Sequence, residues 1–464
     1  MRTRAIKSMA FFCLTIAIFF SWACGPGGKS AHRAHSHLDG QFSVRPEVDS
    51  TRDYGGFEVL VIDNSSGDVD TLAMAITDST GRFSMDVVAP YRGVFPLIVS
   101  RAGRVLAFDE LVVAEADTGS VTGKFPLGKQ RLLIRRSEEN GAWMAYRNSK
   151  IQYNQVLARL VQPGNYNENL IRRATLQTSN MLWSLRGTYP NTLGASVAAG
   201  EAVIMLGGWD DSLLVARAKQ LPLDQPNLVD VVRGARRAEA RLHGEDASIR
   251  LVRSYQKSFP EGEDWAALQS EIVVAYIDSL DRGFAKDAAQ ELSDRAPSSP
   301  WAHWAERALY ELDNLMPGMP APGFVATDLS GRSISLDSLL GQVVVLQFFN
   351  PSNQTYLQEL GLRNKLFNAL KGYPFVPIDI SVEPDTVIDQ AFYEGRKIPG
   401  RHIISPGGIK GPLPRLFNVN LIPTQYLIDQ DGKIVRKYVG RAMLPMQRDL
   451  ARLLNLRLKA TVAR

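Results

Sequence analysis

Residues 343–349, Val-Val-Val-Leu-Gln-Phe-Phe, form an apolar run that is interrupted only by Gln347. A short continuous run rich in β-branched residues is typical of a strand buried on both faces of a sheet. Directly after residues 350–355, apolar side chains recur at helical spacing from Tyr356 to Leu370. The sequence therefore predicts a central strand followed at once by a helix, whose N-terminus is a natural place for an anion or an activated nucleophile.

The residues around this strand–helix pair complete an α/β pattern. A Pro/Gly-rich stretch, 315–324, marks a boundary, and residues 317–464 then predict two short strands, the central strand, a helix and a second buried strand at 375–381. A further helix, a hairpin that turns at Asp431–Gly432 and a last helix follow.

Two segments of this region resemble TlpA-type (redoxin-like) thioredoxin-fold proteins. They are APGFVATDLSGRSISLDSLLGQVVVLQFF, which begins at Ala321, and NLIPTQYLIDQDGKIV, which begins at Asn420. The resemblance covers nearly all of residues 317–464 and implies a thioredoxin-like domain. It also implies that Pro423, followed by Thr424, is a cis-proline facing the active site.

In that family the central strand is usually followed by Trp-Cys-x-x-Cys. Here Ser352 stands where the Trp belongs, and Asn353 and Tyr356 stand where the two cysteines belong. The chain has two cysteines, Cys13 and Cys24, neither of them in this domain. Disulfide exchange requires a thiolate that attacks a sulfur. We therefore expect no catalytic residue at these vestigial active-site positions, and we expect Asn353 to act as a helix N-cap.

Binding could remain where catalysis is absent. We predict a peptide groove beside the cis-proline, lined by Ile422, Pro423, Thr424 and Phe349, together with Tyr356. Three alternatives stay open. They are an envelope thiol–disulfide oxidoreductase, as the resemblance implies, capture of a small anion at the helix N-terminus, and a hydrolase, for which His402 is the one histidine of the domain.

The N-terminus has the pattern of an export signal. Three basic residues precede an apolar stretch, 8–23, which ends in Ser-Trp-Ala before Cys24. This resembles a bacterial lipoprotein signal, so we expect removal of residues 1–23, a lipid on Cys24 and a flexible tether over 24–40. Ordinary cleavage after Ala23 is the alternative. The predicted location is the bacterial cell envelope, with the chain anchored to a membrane and its domains in the periplasm or at the cell surface.

Two further modules are predicted between the tether and the thioredoxin-like domain. Residues 41–135 alternate in short stretches separated by turn residues, which favours an antiparallel β-sandwich. Residues 136–316 change to helical spacing, and one pair of helices resembles a tetratricopeptide-like hairpin. The predicted fold is thus multidomain: a β-sandwich, an α-helical region and a C-terminal α/β domain.

Composition limits the partners. The net charge of +5 over 464 residues is too mild to indicate nucleic-acid binding. His32, His35 and His37 lie close together, but we interpret them as part of a solvated linker rather than as metal ligands. No cofactor is expected. The sequence predicts a redox-inactive binding or scaffold module with an unknown protein or peptide partner, held at the membrane through lipidated Cys24.

Overall fold

The computed structural model describes residues 33–455, apart from 49, 66, 129 and 162–166. The predicted signal, Cys24 and His32 lie outside the described residues. The described chain divides into two compact units. One contains residues 33–288 and 294–301, and the other contains residues 289–293 and 302–455. The module boundaries predicted at 135/136 and 316/317 stay predictions.

The first unit begins with two four-stranded sheets. Their strands are β1 (Ala34–Val44), β2 (Phe57–Asp63), β3 (Asp70–Ile76), β4 (Arg82–Ala89), β5 (Gly93–Arg101), β6 (Arg104–Val113), β7 (Asp117–Phe125) and β8 (Leu133–Arg135). One sheet has the order β4-β1-β7-β8 and the other β3-β2-β5-β6. Alternate side chains of both sheets meet in one apolar core that includes Phe42, Phe57 and Phe125.

Two sequence predictions for this module are corrected. Strand β1 begins at Ala34, so residues 34–40 are not a flexible tether. Ala34, Ser36 and Leu38 point into the core while His35 and His37 point outward, which is the period of a strand. The sheets are also not purely antiparallel, because β1 pairs in parallel with β7 after a long excursion of the chain.

Nine helices follow in the described part of the chain. They are α1 (Glu138–Leu160), α2 (Glu168–Thr188), α3 (Leu193–Ile204), α4 (Asp211–Ala218), α5 (Leu228–His243), α6 (Glu245–Gln256), α7 (Gly262–Asp278), α8 (Arg282–Arg295) and α9 (Pro300–Asn314). Several begin at side chains that cap the helix, such as Ser137, whose hydroxyl accepts from the backbone N–H of Asn140. None of the helices in the described residues is long and apolar enough to cross a membrane.

The second unit contains the α/β domain. Its elements are β9 (Val325–Thr327), β10 (Ser333–Ser335), β11 (Val343–Phe349), α10 (Gln354–Ala369), β12 (Phe375–Ser381), α11 (Thr386–Tyr393), β13 (Arg401–Ile404), α12 (Pro412–Leu416), β14 (Thr424–Ile428), β15 (Ile434–Val439) and α13 (Met443–Leu453). The main sheet has the order β13-β12-β11-β14-β15, in which β11 pairs in parallel with β12 and antiparallel with β14. The predicted central strand and the hairpin at Asp431–Gly432 are confirmed.

All seven residues of β11 are buried, because both faces of the sheet are covered. Val343 and Val345 contact an apolar cluster that includes residues of α10 and α13. Val344, Leu346 and Phe348 contact a second cluster on the other face, which includes Phe417. This double burial explains the unbroken apolar run and fixes where α10 begins.

Candidate functional site

The N-terminus of α10 is closed by Asn353, which occupies the N-cap position. Its Oδ1 accepts a hydrogen bond from the backbone N–H of Tyr356 at 3.0 Å. The predicted capping role of Asn353 is therefore confirmed. Ser352, the preceding residue, is exposed, and its backbone N–H donates to Oδ1 of Asn350 at 2.8 Å.

Asn353 also contacts the loop that carries the proline. The Ile422–Pro423 peptide bond is cis, the geometry that the family resemblance implies at this position. Nδ2 of Asn353 donates to the carbonyl oxygen of Ile422 at 3.3 Å. Pro423 and Thr424 are buried, and the hydroxyl of Thr424 donates to the carbonyl oxygen of Leu421 at 2.6 Å. One carboxamide thus joins the helix N-terminus to the cis-proline loop.

The predicted groove is corrected at two of its residues. Phe349 is fully buried and Tyr356 is 2% exposed, so neither lines an open surface. Their rings stack with centroids 4.2 Å apart and pack against Phe392 and Ile398. Of the residues assigned to the groove, only Ile422 is partly exposed in the described structure. Tyr356 fills the space behind the helix N-terminus as part of the core.

Charged side chains lie beneath this aromatic cluster. Arg363 of α10 and Asp379 of β12 are 1% and 0% exposed and form an ion pair. His402 of β13 lies beside Asp379, with its Nδ1 3.5 Å from Oδ2 of the carboxylate. Burial raises the pKa of the Tyr356 phenol, and the negative charge of Asp379 adds to that shift. Tyr356 therefore stays protonated at physiological pH.

Sequence reasoning missed the Arg363–Asp379 pair. One signal was available, because Asp379 is the single charged residue of strand β12, whose other residues are apolar apart from Ser381. A charge in a doubly buried strand requires a partner, since an unpaired buried carboxylate is costly. Nothing in the sequence indicated that Arg363 is this partner, because the other basic residue of its helix, Lys365, is exposed.

The arrangement does not assemble a hydrolytic site. Nε2 of His402 is 3.1 Å from the carbonyl oxygen of Ile398, to which it donates, and Nδ1 faces Asp379. Both ring nitrogens are thus directed away from the hydroxyls of Ser352 and Thr355. Among the described residues, no three His, Cys, Asp or Glu side chains converge as metal ligands would. Asp429 accepts from the backbone N–H groups of Asp431 and Lys433, so its carboxylate stabilises the hairpin turn.

Comparison with known proteins finds relatives of this chain among thiol-disulfide oxidoreductases. No family model matches the chain. Thiol-disulfide oxidoreductase ResA from Bacillus thuringiensis is 33% identical over 130 residues, which cover 26% of this chain and 69% of that protein. ResA from Bacillus cereus is 31% identical over 135 residues, with the same coverage.

Solved structures match a similar share of the chain. The thioredoxin domain of a thiol-disulfide oxidoreductase from Bacteroides vulgatus is 22% identical, covers 31% of this chain and 100% of that chain, and gives a TM-score of 0.28. A thiol:disulfide interchange protein of the thioredoxin family from Chlorobium tepidum is 20% identical, covers 30% and 99%, and gives a TM-score of 0.26.

Proposed function

We propose that the C-terminal thioredoxin-like domain of this chain does not exchange disulfides and is a redox-inactive binding module. Through this domain the chain belongs to the ResA family of thiol-disulfide oxidoreductases. The observation that carries the proposal is the position of Asn353. Its carboxamide occupies the helix N-terminus and is engaged in hydrogen bonds to Tyr356 and Ile422. An amide is neither a nucleophile toward sulfur nor a leaving group in thiol exchange.

The remaining contacts of the site support a structural role. In a redox domain the helix N-terminus lowers the pKa of a thiol, so that a reactive thiolate forms there. Here the same N-terminus is satisfied by a neutral side chain, and the residue at the second cysteine position, Tyr356, is buried. We infer that the family's Cys-x-x-Cys has been replaced by a capped and packed helix start.

The experiment is a disulfide-reduction assay in which insulin precipitation by dithiothreitol is followed by turbidity. The wild-type protein should not accelerate precipitation above the uncatalysed rate. The double variant Asn353→Cys/Tyr356→Cys should accelerate it, because it places a dithiol at the helix N-terminus. Acceleration by the wild-type protein would refute the proposal.

A control is needed because Tyr356→Cys removes a large buried side chain. Truncating a buried aromatic residue lowers the free energy of unfolding by about 3–5 kcal/mol. The single variant Asn353→Cys avoids that loss. Its thiol should react with a chromogenic disulfide faster than a cysteine introduced at Ser352, which precedes the helix. Circular dichroism on each variant separates loss of folding from lack of chemistry.

The second candidate is an envelope thiol–disulfide oxidoreductase, which family membership favours. It needs a thiol, and beyond residues 1–23 the sequence supplies Cys24 alone. Under this candidate, any reductase activity of the wild-type protein should disappear in the variant Cys24→Ser.

We also propose export and lipid attachment at Cys24. The basic residues, the apolar stretch 8–23 and the cysteine that follows it support this proposal. Cells grown with labelled palmitate should incorporate label into the wild-type protein and not into Cys24→Ala. The wild-type protein should also sediment with membranes, because acyl chains add membrane affinity with every buried methylene.

A further inference from the structure

The α/β domain carries a cleft whose lining includes none of the vestigial active-site positions. It has a volume of about 350 Å³ and lies between α9 and residues 409–420. Its floor is formed by apolar residues, among them Ile409, Pro414 and Val419. This volume is at the lower end of the range for ligand sites. It is large enough for one or two side chains of a partner.

Three cations line this cleft: Arg307 from α9, Lys410, and Arg415 from α12. All three are exposed, and none forms an ion pair within the part of the chain that the structure describes. The acidic residue among the lining residues, Glu306, lies 3.2 Å from Nδ1 of His303. The cleft thus combines an excess of positive charge at its rim with an apolar floor.

The wall that presents Lys410 and Arg415 has a fixed backbone. The sequence Ser-Pro-Gly-Gly-Ile-Lys-Gly-Pro-Leu-Pro-Arg, residues 405–415, contains three glycines and three prolines. A Cβ atom at Gly411 would lie 2.2 Å from the carbonyl oxygen of Pro406, so the turn requires glycine there. Phe417 is fully buried and secures the end of the segment in the core.

The opposite wall is joined to this segment by hydrogen bonds. The hydroxyl of Tyr310 donates to the carbonyl oxygen of Leu416 at 2.9 Å. Nδ2 of Asn418 donates to the carbonyl oxygen of Arg307 at 3.1 Å and to Oε2 of Glu311 at 2.9 Å. The cleft therefore exists before any ligand arrives, which lowers the entropic cost of binding.

We propose that this cleft binds an acidic, extended peptide segment of a partner protein, with carboxylates at the three cations and an apolar side chain on the floor. The inference rests on the proposed function, since it names the chemistry of the partner for a redox-inactive module. A small inorganic anion would use the cations and leave the apolar floor unused. The excess of basic residues over residues 317–464, 18 Lys and Arg against 11 Asp and Glu, favours the approach of an acidic partner.

The test measures fluorescence anisotropy of a labelled peptide composed of Glu, Leu and Ser on the full-length protein. The test variant is Arg307→Gln/Lys410→Gln/Arg415→Gln. The control variant, Lys365→Gln/Lys371→Gln/Lys397→Gln, removes the same charge from exposed residues of the same domain that do not line the cleft. Exposed ion pairs contribute little individually, and three together should change the affinity by about tenfold.

The proposal is supported if the test variant loses about tenfold in affinity, the control variant binds as the wild type does, and replacing every Glu of the peptide by Gln abolishes binding. Equal losses in both triple variants would overturn it, because the attraction would then be general to the basic domain. Absence of peptide binding to the wild type would overturn it as well.

Displacement by phosphate well below the ionic strength at which sodium chloride acts would assign the cleft to a small anion instead, and would also overturn the proposal. None of these results depends on the insulin assay. The insulin assay can therefore refute the redox-inactive function while the cleft still binds peptide. Equally, the cleft can fail to bind peptide while the domain is redox-inactive.

Discussion

Asn353 has two separable tasks at the residue scale. Its oxygen caps α10 through the backbone N–H of Tyr356, and its nitrogen donates to the carbonyl oxygen of Ile422. Asn353→Ala removes both hydrogen bonds, whereas Asn353→Ser keeps an acceptor for the cap and removes the contact with the loop.

We predict that Asn353→Ala lowers the free energy of unfolding by at least about 1 kcal/mol, the usual worth of an N-cap. Asn353→Ser should lower the free energy of unfolding by less, because the helix N-terminus stays capped. Urea unfolding followed by circular dichroism measures both. If the two variants were equally stable, the cap would contribute nothing at this site.

Two aspartates of the α/β domain have pKa values shifted in opposite directions. Burial raises the pKa of the Asp389 carboxyl, and the nearby charges of Glu383 and Asp385 raise it further. The hydroxyl of Ser330, with backbone N–H groups of the same turn, holds the pKa of Asp328 well below its usual range. For Asp389 the folded state binds the proton more tightly than the unfolded state, and for Asp328 the unfolded state does. The two shifts therefore change stability with pH in opposite directions.

For Asp389 the unfolded state releases its proton first, near its ordinary pKa of about 4. Stability should therefore fall as pH rises above that value, until the folded carboxyl also ionises. Asp389→Asn should raise the free energy of unfolding at neutral pH and leave it almost unchanged in acid. Urea unfolding over this pH range provides the measurement.

Asp328→Asn is the matched comparison. The depressed pKa of Asp328 contributes stability above the unfolded pKa, and this contribution is lost as pH falls toward the folded value. The variant should therefore be less stable than the wild type at neutral pH and similar to it in strong acid. If both asparagine variants changed stability in the same direction at neutral pH, one of the two pKa assignments would be wrong.

At the scale of elements, one short turn recurs. Asp78, Asp328 and Asp429 each accept hydrogen bonds from the backbone N–H groups two and four residues later. A glycine with positive φ follows three positions after each aspartate, at 79°, 78° and 77° for Gly81, Gly331 and Gly432. In these three places the pattern Asp-x-x-Gly specifies a tight reversal.

The turns differ in their surroundings, and this allows a matched experiment. A Cβ atom at Gly81 would lie 2.0 Å from the carbonyl oxygen of Phe42, whereas one at Gly331 would meet nothing within 4 Å. Both alanine variants incur the strain of a positive φ, about 1 kcal/mol. We predict that Gly81→Ala costs several-fold more, which calorimetry would show as a larger drop in melting temperature. Equal drops in melting temperature would mean that strand β1 can move away from the methyl group added at Gly81 without a loss of stability.

The same elements show what the sequence could predict. The strand β11 and its helix were predictable because seven consecutive buried residues permit few other structures. Strand β13 was missed because four residues, Arg401–Ile404, are too few to establish a period. Tyr356 was wrongly assigned to the groove because Phe392, which comes from α11, packs against it. Sequence spacing does not reveal which distant helix covers a side chain.

At the scale of the whole molecule, the cysteines decide between the two candidate functions. The chain has Cys13 within the predicted signal and Cys24 directly after it. Lipid attachment would use the thiol of Cys24, so the mature lipoprotein would contain no free thiol at all. Cleavage after Ala23 without lipid attachment would leave one free thiol, that of Cys24.

We predict that the mature protein, purified from membranes and denatured in urea, gives no signal with a thiol reagent. The variant Ser352→Cys should give one thiol per chain, which calibrates the assay at an exposed position. The mass of the N-terminal peptide distinguishes a lipidated Cys24 from an oxidised one. One thiol in the wild-type protein would leave Cys24 free on an exported chain. The oxidoreductase candidate would then have a reagent, although a single cysteine cannot close an intramolecular disulfide and would require a thiol from a partner.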